Sequence, residues 1–153
     1  MEQQLDQNIV FSVEKIYIKD ASYEAPSVPM VFTQADTREV SVQLGVEHSS
    51  LNAEHGLFEV ALTVTAIAKR ENKNIFLVEV KQAGIFRITG IAGDALQKTL
   101  EVGCPNILLP FVRESVNEFV IRGGFAQLLI NPINFEVLYE QKQSAQEKSP
   151  SNN

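Results

Sequence analysis

Apolar and polar residues alternate through Val40, Val42, Leu44 and Val46, with Ser41, Gln43, Gly45 and Glu47 between them, which is the pattern of a strand buried on one face. The same period returns at Phe58, Val60, Leu62 and Val64. It is followed by the charged stretch Lys69-Arg70-Glu71-Asn72-Lys73-Asn74 and a further apolar run from Ile75, so these two strands are predicted to form a hairpin. Ile9 to Tyr17 is β-branched and aromatic, and its apolar phase changes between Val13 and Ile16 as at a bulge, which predicts the first of four strands. On the fourth strand a period of two sends Phe76, Val78 and Val80 to one face, where helices should cover them. Ile75, Leu77, Glu79 and Lys81 go to the other face, beside the small outward set Glu59, Ala61, Thr63 and Thr65 of the third strand.

Between the first two strands, Lys19 to Phe32 carries Pro26 and Pro29, each of which removes a ladder donor and favours extended geometry before it. The segment is therefore expected to be a crossing loop, yet it holds Tyr23, Val28, Met30, Val31 and Phe32. It either packs on its own core or forms a surface that meets another chain. After Gly90-Ile91-Ala92-Gly93 the pattern turns helical: Asp94 with Gln97 resembles an N-cap and its reciprocal partner, predicting a short helix to about Val102. A second helix, starting near Asn106 or after Pro110, should carry Phe111, Val112, Val116, Phe119 and Val120 and stop at Gly123-Gly124. Asn131-Pro132-Ile133-Asn134 opens a last helical piece, and the polar residues from Gln141 to Asn153 read as a frayed tail. Strands followed by helices indicate an α+β fold with a four-stranded antiparallel sheet, expected as a single domain over 1–140 with a disordered tail over 141–153.

Composition narrows the function. Thirteen Lys and Arg against 19 Asp and Glu give a net charge of −6, which disfavours nucleic acid or an anionic membrane as the main partner. One cysteine, Cys104, cannot form an internal disulfide. The first residues lack the basic and apolar regions of a signal peptide, and no apolar run approaches the ~20 residues that span a bilayer, so the cytoplasm is the expected compartment. His48 and His55 lack metal-ligand spacing, Cys104 reads as a small buried residue, and no serine has a nucleophile-elbow setting. Neither a catalytic residue nor a cofactor is expected. Gly90 to Gly93 reads as a strand-to-helix turn rather than an RNA clamp, because its flanks lack a basic cluster.

Three stretches carry a family resemblance: Lys19-Asp20-Ala21-Ser22-Tyr23-Glu24-Ala25-Pro26, Gly84-Ile85-Phe86 and Cys104-Pro105-Asn106-Ile107-Leu108-Leu109-Pro110-Phe111-Val112-Arg113-Glu114. With Asn131-Pro132-Ile133-Asn134-Phe135 they resemble SecB, the bacterial protein-export chaperone family, in one order from about Phe11 to Tyr139. The resemblance implies helices on one side of the sheet, a crossing loop between strands one and two, and a homotetramer built as a dimer of dimers. It also implies an ATP-independent holdase, without enzymatic activity, that binds unfolded preproteins and delivers them to the SecA ATPase. The positions it implies for SecA binding are Asp20, Glu24, Leu77 and Glu79. Those it implies for client binding in apolar grooves are Tyr23, Met30, Phe32, Ile107 and Phe111. The alternative is a small-ligand-binding α+β domain, which should place convergent polar groups in an apolar pocket.

Overall fold

The computed structural model describes residues 8–35 and 37–148. Four strands, β1 (Val10–Glu24), β2 (Glu39–Asn52), β3 (Leu57–Arg70) and β4 (Lys73–Thr89), form one antiparallel sheet in the order β1-β4-β3-β2. The sheet is followed by α1 (Gly93–Lys98), a π-helical turn (Thr99–Gly103), α2 (Cys104–Arg122) and α3 (Phe135–Lys148). β3 and β4 close through Glu71 and Asn72, both at positive φ, as a tight two-residue hairpin requires. Because β1 and β2 are the two edges, the chain must cross the sheet between them. It does so past the hairpin turn: Ser27 Oγ donates to the Asn74 carbonyl, and the Arg70 guanidinium donates to Ala35 O and Gln34 Oε1.

Period two sorts the two central strands as expected. Phe76, Val78 and Val80 of β4 and Val60, Leu62, Val64, Ala66 and Ala68 of β3 are fully buried beneath Cys104, Leu108, Val112, Val116 and Val120 of α2. Ile75 departs from the expected phase. Lys69 pairs with Asn74 and Ala68 with Phe76, so Ile75 is the extra residue of a bulge and turns into the core. Gln82 is a buried polar side chain on β4. Its Nε2 donates to the Tyr17 carbonyl at 3.2 Å and its Oε1 accepts from Ser115 Oγ at 3.1 Å, so each end of the amide has a partner and β1, β4 and α2 are tied together.

Four boundaries differ from the sequence reading. β1 continues through Lys19 to Glu24, so the crossing loop begins only at Ala25. An edge strand tolerates bulges, and β1 has one between Val13 and Lys15 and another between Ile18 and Asp20. Asp94 does not cap: Ala92 occupies the N-cap with no side-chain bond, and Asp94 lies in the first turn. The two expected helices are continuous across Pro105. A wider turn, in which the Cys104 N–H bonds Thr99 O five residues back, absorbs the missing proline donor, and Pro110 sits inside α2 at an exposed position. Gly123 ends α2 as expected. α3 runs on to Lys148, through part of the segment expected to be frayed; residues 149–153 of that segment and residues 1–7 of the expected domain lie outside the described residues.

Replacing Val78 by Asp places a charge in the helix-covered core and is expected to cost about 3 kcal/mol or more, whereas Leu77→Asp, on the open face, should cost within about 1 kcal/mol. Urea unfolding at fixed protomer concentration measures both; equal losses would mean that the strand phase is wrong.

Candidate functional site

The outer face of the sheet, away from α2, is built row by row from the register. Ser41, Ile67, Leu77 and Glu24 form one row from β2 to β1. Gln43, Thr65, Glu79 and Ser22 form the next, and Gly45, Thr63, Lys81 and Asp20 the third. Directly opposed residues in antiparallel strands share a face, so the structure brings Asp20, Glu24, Leu77 and Glu79 onto one surface. Asp20, Glu24 and Glu79 are exposed and Leu77 is half-buried.

The charges on this face are segregated. Lys19 Nζ lies 2.7 Å from Glu59 Oε1, Arg87 Nε 3.2 Å from Glu14 Oε2, and Lys81 Nζ 3.5 Å from Glu47 Oε2. Lys81 stands opposite Asp20 in the ladder but reaches across β3 toward Glu47 on β2. Among the described residues no cation pairs with Asp20, Glu24 or Glu79. Glu59 also accepts from the Tyr17 hydroxyl, and its two donors hold its carboxyl below the usual range, the bond from Lys19 first and that from Tyr17 second. Burial, then the bond to Glu59, pushes Tyr17 up to about 12.

On the helix side, the residues nominated for client contact divide into two groups. Tyr23 stacks on Phe119 with ring centroids 6.1 Å apart, and its hydroxyl fills the space a Cβ on Gly123 would need, so a side chain there would displace the Tyr23 ring. Phe32 lies against Gly124 and 5.0 Å from Phe125, which in turn lies 5.1 Å from the buried Phe76. Met30, 63% exposed, lines a cavity of about 390 Å³ under the crossing loop with Val31 and Ile75. Tyr23 and Phe32 thus meet the end of α2, while Met30 faces the neighbouring cavity between the crossing loop and the β3–β4 turn. Ile107 and Phe111 lie on the N-terminal half of α2, two or more helical turns from Phe119 and outside that cavity. Phe111 is exposed and Ile107 packs partly against the core. Phe125 was not singled out in the sequence, because its Gly-Gly flank gives no period from which to place it.

A larger cleft of about 870 Å³ also escaped the sequence reading. It lies between the inward residues Val42, Leu44 and Val46 of β2 and Phe135, Val137 and Leu138 of α3. The apolar stripe of β2 was the available signal: α2 covers β3 and β4 but leaves this edge to α3. Polar groups at the cleft are tied to each other. Glu101 Oε2 lies 3.2 Å from the half-buried His48 Nε2, and Glu101 Oε1 accepts from Lys142 Nζ at 3.1 Å. Cys104 is fully buried, and burial pushes its thiol up to about 12. Among the described residues no cluster of His, Cys, Asp and Glu could hold a metal, and no helix is long and apolar enough to cross a membrane.

The sequence model of the family described as "Preprotein translocase subunit SecB" matches residues 3–146. The protein-export protein SecB of Azoarcus sp. (strain BH72) is 48% identical over 139 residues, covering 90% of this chain and 91% of that protein. The Chromobacterium violaceum protein of the same name is 47% identical over 146 residues, covering 95% and 96%. Among solved structures, a SecB-like chaperone of Mycobacterium tuberculosis, in complex with a ChAD peptide from the HigA1 antitoxin, has the same fold. Its TM-score is 0.68 at 13% identity, covering 80% of this chain and 90% of that one.

Tyr17 favours its neutral form in the fold, so its contribution to stability is complete below its ordinary pKa near 10 and is lost as pH rises toward about 12. Absorbance titration, with Tyr17→Phe as the subtraction, should place its ionisation near 12, and Glu59→Gln should bring it down. An unshifted Tyr17 would mean that this hydrogen bond is not formed.

Proposed function

This chain belongs to the SecB family of protein-export chaperones, and we propose that it is an ATP-independent holdase that binds unfolded precursors on the helix side of its sheet and delivers them to SecA through the opposite face. The observation that carries the reading is the two-sided use of β4: Phe76, Val78 and Val80 anchor the helices, while Leu77 and Glu79 stand on an open face with Glu24 and Asp20, whose carboxylates pair with no cation among the described residues. A flat surface with an apolar centre and unneutralised carboxylates suits a basic, partly apolar partner. Nothing in this mechanism needs a bond-making step, a nucleotide or a cofactor.

Clients bind through Tyr23, Met30 and Phe32 at the crossing loop, extended by Ile107 and Phe111 along α2. Each contact is weak; burial at roughly 25 cal/mol per Å² of apolar area, summed over a long unfolded segment, gives retention without sequence reading. The acidic balance speeds capture of positively charged segments. Phe11, Val13 and Ile18 lie on the helix side of edge strand β1, opposite Ile88, Phe86 and Gln82 but beyond the main footprint of α2, and are 42%, 42% and 49% exposed in the single chain, which supports burial in a homotetramer assembled as a dimer of dimers. The compartment is the cytoplasm, where precursors await export.

Sedimentation should give a species of about 68 kDa, four chains of 17.0 kDa; a monomer at all concentrations would contradict the assembly. Reversing Glu24 and Glu79 to Lys should abolish or strongly weaken SecA binding in calorimetric titration, with aggregation suppression of an unfolded client without ATP retained. Undiminished SecA affinity at low salt would remove these acids from the interface, and equal loss of both activities would mean that the two surfaces are not distinct.

A further inference from the structure

The rows of the outer face place two β3 residues inside the acidic frame. Ile67 lies directly between Ser41 and Leu77, so the apolar centre is a cross-strand pair rather than a lone leucine. Both members are half-buried, and strand spacing brings such opposed side chains into contact. One row on, Thr65 opposes Glu79, and its hydroxyl donates to Glu79 Oε2 at 2.7 Å. The second carboxylate oxygen has no partner among the described residues. Glu79 is exposed and would otherwise sample many rotamers; a hydroxyl from the neighbouring strand restricts the carboxylate, one row from the Ile67–Leu77 pair. Glu47 serves the same frame from β2 by drawing Lys81 away from Asp20.

We propose that the docking face extends across β3, with Ile67 sharing the apolar contact of Leu77 and Thr65 acting as a positioning residue for Glu79. The inference rests on the reading of this face as the SecA dock. The occupant is then a SecA segment presenting a cation beside an apolar side chain, the cation meeting the oriented Glu79 oxygen and the apolar group lying on Ile67 and Leu77.

Calorimetric titration of SecA into the assembled protein at low salt tests it, with thermal unfolding of each variant as a check. Thr65→Val keeps shape and strand preference but removes the donor, and is expected to weaken binding about fivefold, with Thr65→Ser restoring it. In a Glu79→Gln background Thr65→Val should add little, because the carboxylate it positions is gone. Ile67→Thr should weaken binding roughly fivefold with an unchanged salt dependence, since no charge is altered. Wild-type affinity in Thr65→Val and Ile67→Thr, while the Glu24→Lys/Glu79→Lys protein fails to bind, would overturn this inference and leave the dock in place. Equal weakening by Thr65→Val with and without Glu79 would overturn the positioning role. Full binding by the doubly reversed protein would remove the dock itself and this inference with it.

Discussion

The period-two alternation of β4 is the constraint on which the rest depends. A central strand has neighbours on both edges, so its side chains can go only up or down, and the sequence assigns bulky apolar groups to one side and a leucine with charges to the other. α2 follows from the first assignment, because Phe76, Val78 and Val80 must be covered. The open face follows from the second. A one-residue slip would put Glu79 under the helix and Val78 in water, and the buried bonds of Gln82 to Tyr17 and Ser115 fix the register against that slip.

Crossing from one edge of the sheet to the other gives the fold its second surface. The chain leaves β1 at Glu24 and enters β2 at Glu39, so the intervening loop must pass the β3–β4 turn, and its apolar residues meet the end of α2 there. Gly123 and Gly124 permit this approach by leaving room for Tyr23 and Phe32. The result is a chain with an acidic, flat face on one side and aromatic, partly open ground on the other, separated by a fully packed core. In the proposed function, holding a client and meeting a translocation partner are then physically independent.

Much of this was legible in the residues. The four strands, the hairpin and the stop at Gly123 followed from alternation and turn chemistry, and the two-face sorting of β4 placed Leu77 with Glu79. Ile75 was misplaced because a bulge changes phase without a sequence mark. The helix boundary was misread because proline usually ends a helix, while a π turn before Pro105 let this one continue. Ile67 and Thr65 follow from the same period that marked Leu77, but their partnership with it depends on a cross-strand register that periodicity alone does not give. Ile107 and Phe111, nominated with Tyr23 for apolar grooves, lie two or more turns of α2 from Phe119, a spacing that apolar lining alone does not give.

Independence of the two faces is tested most directly by titrating SecA into the protein already saturated with an unfolded client. Unchanged SecA affinity, with the client still bound in the resulting complex, is the predicted result; competitive loss of one partner as the other binds would contradict it.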